Sequence, residues 1–352
     1  MAARLKTYRE RFKNNELPDP QDFKNVEECV SAYDRGLEGA IYDPDGAEEV
    51  ESGRYGNMAD TAQEFGFASQ GQGQLNLLYA EVWKAAGRSD FFHGSYNQAC
   101  GDCVSHSLRH SLMGTLACSV TNGEGSWPDL PDSAYKGGSC FHPSPTYWLR
   151  GKNSDGWSCA TAVQRATDGI GMVACLNYPS PLSVDLANYS KSIAHKWGSQ
   201  KPPSDVIDQL NDHKVKSSSR CKSWDTVRDA LSAGYALCTC GGEGFSKSRD
   251  DNGYSKRSGS WSHALTYIGY DDSEWAHKTY GQQLVLILNS WGPSWNSDNG
   301  PYPQGNKSLP KIPRGSFWAK WSDVKNRDCY AISSVVGFPN RKLKNWDLRD
   351  LI

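Results

Sequence analysis

The chain has 352 residues, 38% of them hydrophobic and 22% charged, and its formal net charge is -2. This is the composition of a soluble globular protein with enough length for one large domain or two smaller ones. The near-neutral balance offers no electrostatic handle for nucleic acid or an acidic membrane, and no apolar run approaches the roughly 20 residues that a membrane span needs.

The opening stretch MAARLKTYRERFKNNELPDP is charged and lacks an apolar centre, so it predicts no secretory signal and a cytoplasmic or virion-associated protein. Residues 1–92 read as an acidic, mostly helical and loop extension. Its first 60 residues carry 14 Asp/Glu against 8 Lys/Arg, and GQLNLLYAEVWKAAGRSD (73–90) has helical periodicity ending at a Gly. Residues 93–203 read as a helical half, with helices over CVSHSLRHSLMGTLA (103–117) and SCATAVQRATDGIG (158–171). KPPSDVIDQL (201–210) then reads as an extended hinge, because Pro-Pro disfavours a helix.

Residues 204–340 change character. WDTVRDALSAGYALCTC reads as helix, Gly and short strand, and ALTYIGYDD, QLVLILNSW, SFWAKW and AISSVVGF all read as strands. KSSSRCKS and FSKSRDDNGYSKRSGS read as solvated loops, and 341–352 as a C-terminal tail. The 11 cysteines are odd in number, so at least one has no partner within a monomer.

The stretch YNQACGDCVSHSL (96–108) allows a metal knuckle, a redox pair, half of a disulfide framework or a catalytic helix start. Zinc would need a second pair at comparable spacing, and CTC (238–240) is too tight for tetrahedral ligation. A thioredoxin-like site would need a strand before CGDC, which YNQA does not supply. WSHALTYIGYD (261–271) and LILNSWGPSW (286–295) add a histidine and an asparagine, each at the edge of a regular element. Thiol nucleophiles need this set: an imidazole to handle the proton and a third group to hold the imidazole in one tautomer.

In these three segments the chain resembles the papain-like cysteine peptidases. NQACGDC is similar to the family's NQGxCGxC, SHALTYIGYD to its DHAVxxVGYG strand, and LILNSWGPSW to its IxKNSWGxxWG. The resemblance spans roughly residues 90–338. It implies an α+β papain-like fold, a helical subdomain and an antiparallel β-barrel-like subdomain flanking a cleft. It further implies Cys103 as nucleophile, His263 as proton carrier, Asn289 as orienting residue and Trp291 as shield of the His–Asn bond. The Cys103 backbone N–H and Gln98 would form the oxyanion hole, the substrate would be a polypeptide, and neither cofactor nor metal would be needed. Cys100 with Cys159 matches a family disulfide, against the alternative that both are plain buried thiols.

Three positions depart from the pattern. The family glutamine lies six residues before the nucleophile, where this chain has Asn97, with Gln98 one residue later. Val104 stands where Trp is usual. Asp102 replaces a small residue before the cysteine, where it would cap the helix and oppose thiolate formation. His106, one turn after Cys103, is a rival base. These departures keep two other readings open, a structural or assembly protein retaining the scaffold (a virion component, for example, with partner proteins), and a thiol-dependent transferase or transamidase.

Overall fold

A computed structural model describes residues 40–41, 43–53, 56–89, 92, 98–127, 141–150, 156–167, 182–184, 186, 189–212, 215–296, 300–334 and 338–346. In chain order the helices are α1 (Pro44–Ser52), α2 (Met58–Glu64), α3 (Leu78–Ala86), α4 (Cys103–Thr121), α5 (Pro143–Trp148), α6 (Cys159–Thr167), α7 (Lys191–Ser199), α8 (Ser204–Asp212), α9 (Trp224–Ser232), α10 (Glu274–Tyr280) and α11 (Trp321–Val324). The strands are β1 (Leu75–Asn76), β2 (Ser218–Arg220), β3 (Leu237–Phe245), β4 (Arg257–Asp271), β5 (Leu284–Leu288), β6 (Ser316–Lys320) and β7 (Asp328–Ile332). The strands form one sheet in the order β2-β7-β3-β4-β5-β6, with β1 added on β4, and every strand pair is antiparallel. Helices in the first half and an antiparallel sheet in the second give the expected α+β class.

The helix α4 is the pivot. Every residue from Cys103 to Thr115 is buried, including His106, Arg109 and His110. A helix covered on all sides shows little one-sided periodicity, and its polar residues must find internal partners. Ser107 does so by donating to the Leu265 carbonyl of β4 at 2.5 Å, and Thr266 donates back to the Ser107 carbonyl at 3.3 Å. Gly114 permits the close approach, since a Cβ there would lie 2.6 Å from the Ala236 Cβ just before β3. Burying Leu108 and Met113 of the same helix in the core is worth roughly 1.5–3 kcal/mol each.

Several boundaries differ from the sequence reading. The stretch from Gly73 begins not as helix but as β1, and α3 starts only at Leu78; it ends as expected, with Gly87 in the left-handed region at φ 65°. KPPSDVIDQL is extended only over its prolines and becomes α8 from Ser204. The strand after α9 is nine residues long, running on through CTC into Gly241–Phe245. Both serine-rich stretches contribute strand, β2 in the first and the exposed start of β4 in the second. The acidic N-terminal stretch packs through α1 and β1 onto the rest of the molecule, and the C-terminal segment returns to it, Trp346 N–H bonding the Leu75 carbonyl at 2.9 Å.

The disulfide among the described residues is not the expected one. Cys159 at the start of α6 is joined to Cys240 of β3, 81 residues away, while Cys100 remains a thiol. Closing a loop of that length contributes about 4–5 kcal/mol in the chain-entropy account. It ties the helical half to the sheet within two residues of the strand position opposite His263. Alternation along β3 places Cys238 on the same face as Cys240, and its thiol lies 3.6 Å from the Cys159 sulfur. In a Cys240→Ser variant Cys159 is therefore expected to pair with Cys238, as non-reducing peptide mapping would show. Recovery of Cys159 and Cys238 both as free thiols after the same oxidative folding would refute this.

Candidate active site

Cys103 is the first residue of α4, so its sulfur sits at the positive end of a 19-residue helix dipole. Asp102 occupies the cap position, but its carboxylate makes no capping bond to the helix backbone, which corrects the sequence expectation. Instead the fully buried carboxylate turns to the side. Its Oδ2 accepts from the Tyr189 hydroxyl at 3.0 Å and lies 3.5 Å from His106 Nε2. Burial lowers the pKa of His106, with Asp102 working in the opposite direction. His106 is thus engaged with Asp102 inside the helical half.

On the sheet side, His263 projects from β4 and Asn289 follows β5. His263 Nε2 is 2.8 Å from Asn289 Oδ1, and the same oxygen accepts the Ser290 backbone N–H at 2.7 Å. Because that oxygen is an acceptor, Nε2 must carry the ring proton. The neutral imidazole therefore presents its Nδ1 lone pair on the opposite edge, where Nδ1 has no hydrogen-bond partner among the described residues. Trp291 stacks on the ring at 4.5 Å, and Trp261 and Trp295 close the aromatic wall behind it. Burial pushes the imidazole pKa down to about 3; the Asn289 bond opposes that, while the charges of Arg327 and His106 add to it. At neutral pH the ring is uncharged.

Gln98 connects the two walls. Its backbone N–H bonds the Ser290 carbonyl at 2.9 Å, its Oε1 accepts from the Ser290 hydroxyl at 2.8 Å, and its Nε2 donates to the Cys100 carbonyl at 2.7 Å. It therefore sits between the residue after Asn289 and the loop entering α4. Asn97, the other glutamine-position candidate, lies outside the described residues.

The structure brings His263, Asn289 and Trp291 into direct contact and sets Gln98 against Ser290 next to them. Helix α4, which begins with Cys103, packs on the same strand as His263, Ser107 bonding the Leu265 carbonyl two residues after that histidine. Cys103, His263 and Asn289 have no exposed surface. Sequence reading missed Tyr189 and Ser290, and also Arg327, whose guanidinium reaches the His263 carbonyl at 2.5 Å. No local pattern marks any of them, because their partners Asp102, Gln98 and His263 lie 87, 192 and 64 positions away.

No protein-family model matches the sequence, and a search of curated proteins found no match. Comparison with solved structures did find similarity. Xylellain, a cysteine protease from Xylella fastidiosa, superposes with a TM-score of 0.51 at 15% identity, covering 85% of this chain and 96% of that one. The proform of the ragweed pollen cysteine protease Amb a 11 gives 0.48 at 12% identity over 85% and 74% of the two chains, and procathepsin L 3 of Tenebrio molitor larval midgut gives 0.41 at 11% over 94% and 88%. The fold of this chain is papain-like.

Proposed function

We propose that the protein is a cysteine peptidase that hydrolyses peptide bonds through a thioester on Cys103. The observation that carries this reading is the His263–Asn289 bond, held under Trp291, which fixes the tautomer a general base needs. The sulfur of Cys103 attacks the scissile carbonyl while His263 Nδ1 takes the thiol proton. The imidazolium then gives that proton to the departing amine, and the acyl group stays on sulfur. Water, deprotonated by the same Nδ1, attacks the thioester and releases the acid and the thiol. The Cys103 backbone N–H and the Gln98 amide are the donors for the oxyanion, a role worth roughly 2.7–4 kcal/mol per donor. With His263 uncharged at rest and Asp102 beside the nucleophile, the resting state is a neutral thiol–imidazole pair rather than a preformed ion pair.

A second reading rests on the complete burial of Cys103 and His263, which suits an assembly protein that keeps the scaffold with its chemistry muted. Labelling with an epoxysuccinyl thiol-peptidase inhibitor separates the two. The peptidase reading expects a single adduct on Cys103, absent in Cys103→Ala and slowed at least tenfold in His263→Ala. A folded protein that takes up no adduct while its thiols are reduced belongs to the second reading.

A further inference from the structure

His263 is held on its Nε2 edge by Asn289 and on its face by Trp291. A third contact comes from the opposite direction. Arg327, in the bend before β7, has a fully buried side chain that donates to four acceptors. Its Nη2 bonds the His263 carbonyl at 2.5 Å, Nε the Thr239 hydroxyl at 3.1 Å, and Nη1 both the carbonyl and the carboxylate of Glu243 at 3.4 Å.

The backbone around this contact is shaped for it. Gly241 of β3 stands opposite His263, and the β3–β4 register shifts immediately afterwards, between Gly241 and Glu243. A Cβ at position 241 would lie 2.6 Å from the Arg327 Cγ and 2.6 Å from a Glu243 carboxylate oxygen. The glycine therefore leaves the room that the ion pair fills. Well-packed apolar side chains would often serve the interior at least as well as a buried Arg–Glu pair, so its presence calls for a reason other than stability. The reason lies at the irregularity that presents His263.

We propose that Arg327, braced by Glu243 and admitted by Gly241, is a positioning residue for His263, fixing the strand at its carbonyl. This deepens the peptidase reading and rests on it for the role of His263. The titratable and charged side chains on the elements around His263 are Cys103, His106, Arg109, His110 and Cys118 on α4, Cys238 and Glu243 on β3, and Arg327 itself. Of these, Arg327 and His106 disfavour the imidazolium. A guanidinium bound to the residue's own carbonyl repels a proton on the ring and leaves Nδ1 as an acceptor.

The test is an NMR titration of the His263 ring, which needs no substrate. In the paired variant Arg327→Met with Glu243→Gln, which removes both charges and so strands neither, the midpoint is expected to rise by about one pH unit. Arg327→Lys keeps the charge and loses the fork. There the midpoint stays low, but the hydrogen-bonded His263 Nε2–H resonance is expected to broaden and Cys103 labelling to slow about tenfold. A role confined to stability would lower the melting temperature and leave midpoint and resonance where they are, and a folded paired variant with an unchanged midpoint overturns the proposal. Should the paired variant not fold, a sharp wild-type Nε2–H resonance in Arg327→Lys overturns it. Failure of Cys103 to label in the wild type would instead defeat the peptidase reading and leave the titration readable.

Discussion

Lowering the pH from 7 to 5 is expected to destabilise the folded chain substantially, read as a fall in its urea midpoint. The cause is a set of buried histidines that fold uncharged. His263 is pushed down to about 3 by burial, and burial likewise lowers His106 and takes His110 well below its ordinary value. For His110 the geometry gives the same answer, since its Nε2 lies 3.0 Å from Arg109 Nη2 and an arginine can only donate, so that nitrogen must accept. In each case the folded state binds its proton less readily than the unfolded chain does. Stability is therefore full above the unfolded value near 6.5 and is lost as the pH falls from there toward the folded value. His263 alone costs about 2 kcal/mol between pH 6.5 and 5, and the other two act in the same direction. Asp229, Asp323 and Asp328, raised by burial, work the opposite way and offset part of that loss. Against a total stability of about 5–15 kcal/mol the net loss is large. Equal urea midpoints at pH 7 and 5 would mean that these rings are not held neutral, and His263→Gln should flatten the dependence by its own share.

The parts of the site that could be read from the sequence are those in which a side chain's chemistry and its place on an element coincide. Asn289 ends a run of five strand residues, Trp291 follows it, and His263 lies within an apolar strand, so the three declare themselves as polar exceptions in apolar surroundings. The start of α4 was legible for the same reason. Where the reading missed, the partner was distant or the pattern was ambiguous. Nothing in one dimension marks Cys240 as the partner of Cys159; only the packing of α6 against β3 brings the two sulfurs together. Asp102 has the local signature of a helix cap, yet a tyrosine 87 residues later and a histidine one turn along the helix offer its carboxylate a better bonded position inside the protein. Arg327 gave no signal at all, because a charged residue in a turn is ordinarily solvated and nothing nearby says that it is buried. Leu75 and Asn76 were read as the start of a helix because their apolar spacing continues into α3. Their pairing with Tyr270 and Asp271 is a long-range choice that local propensity cannot contain.

Replacing Asp102 by asparagine is expected to make Cys103 more reactive. The carboxylate is fully buried, is adjacent in sequence to Cys103, and is placed where the helix dipole would otherwise favour a thiolate. A negative charge at that distance in a poorly solvated site disfavours a second one on sulfur, and the usual size of such an effect is one pKa unit or more. Asparagine keeps an oxygen for the Tyr189 hydroxyl and matches the shape, so the change is one of charge rather than packing. The thiol titration of Cys103 should then move down by about one unit, and alkylation near pH 6, which proceeds through the thiolate, should quicken about tenfold. His106 loses the partner that favours its protonation, so it becomes still less able to carry charge, which keeps the gain at Cys103 from being attributed to a new imidazolium nearby. An unchanged or raised Cys103 titration in the folded variant would show that Asp102 does not restrain the thiol. The buried carboxylate would then have to be understood through its bonds to Tyr189 and His106 alone, as a structural tie between the loop before α7 and the start of α4.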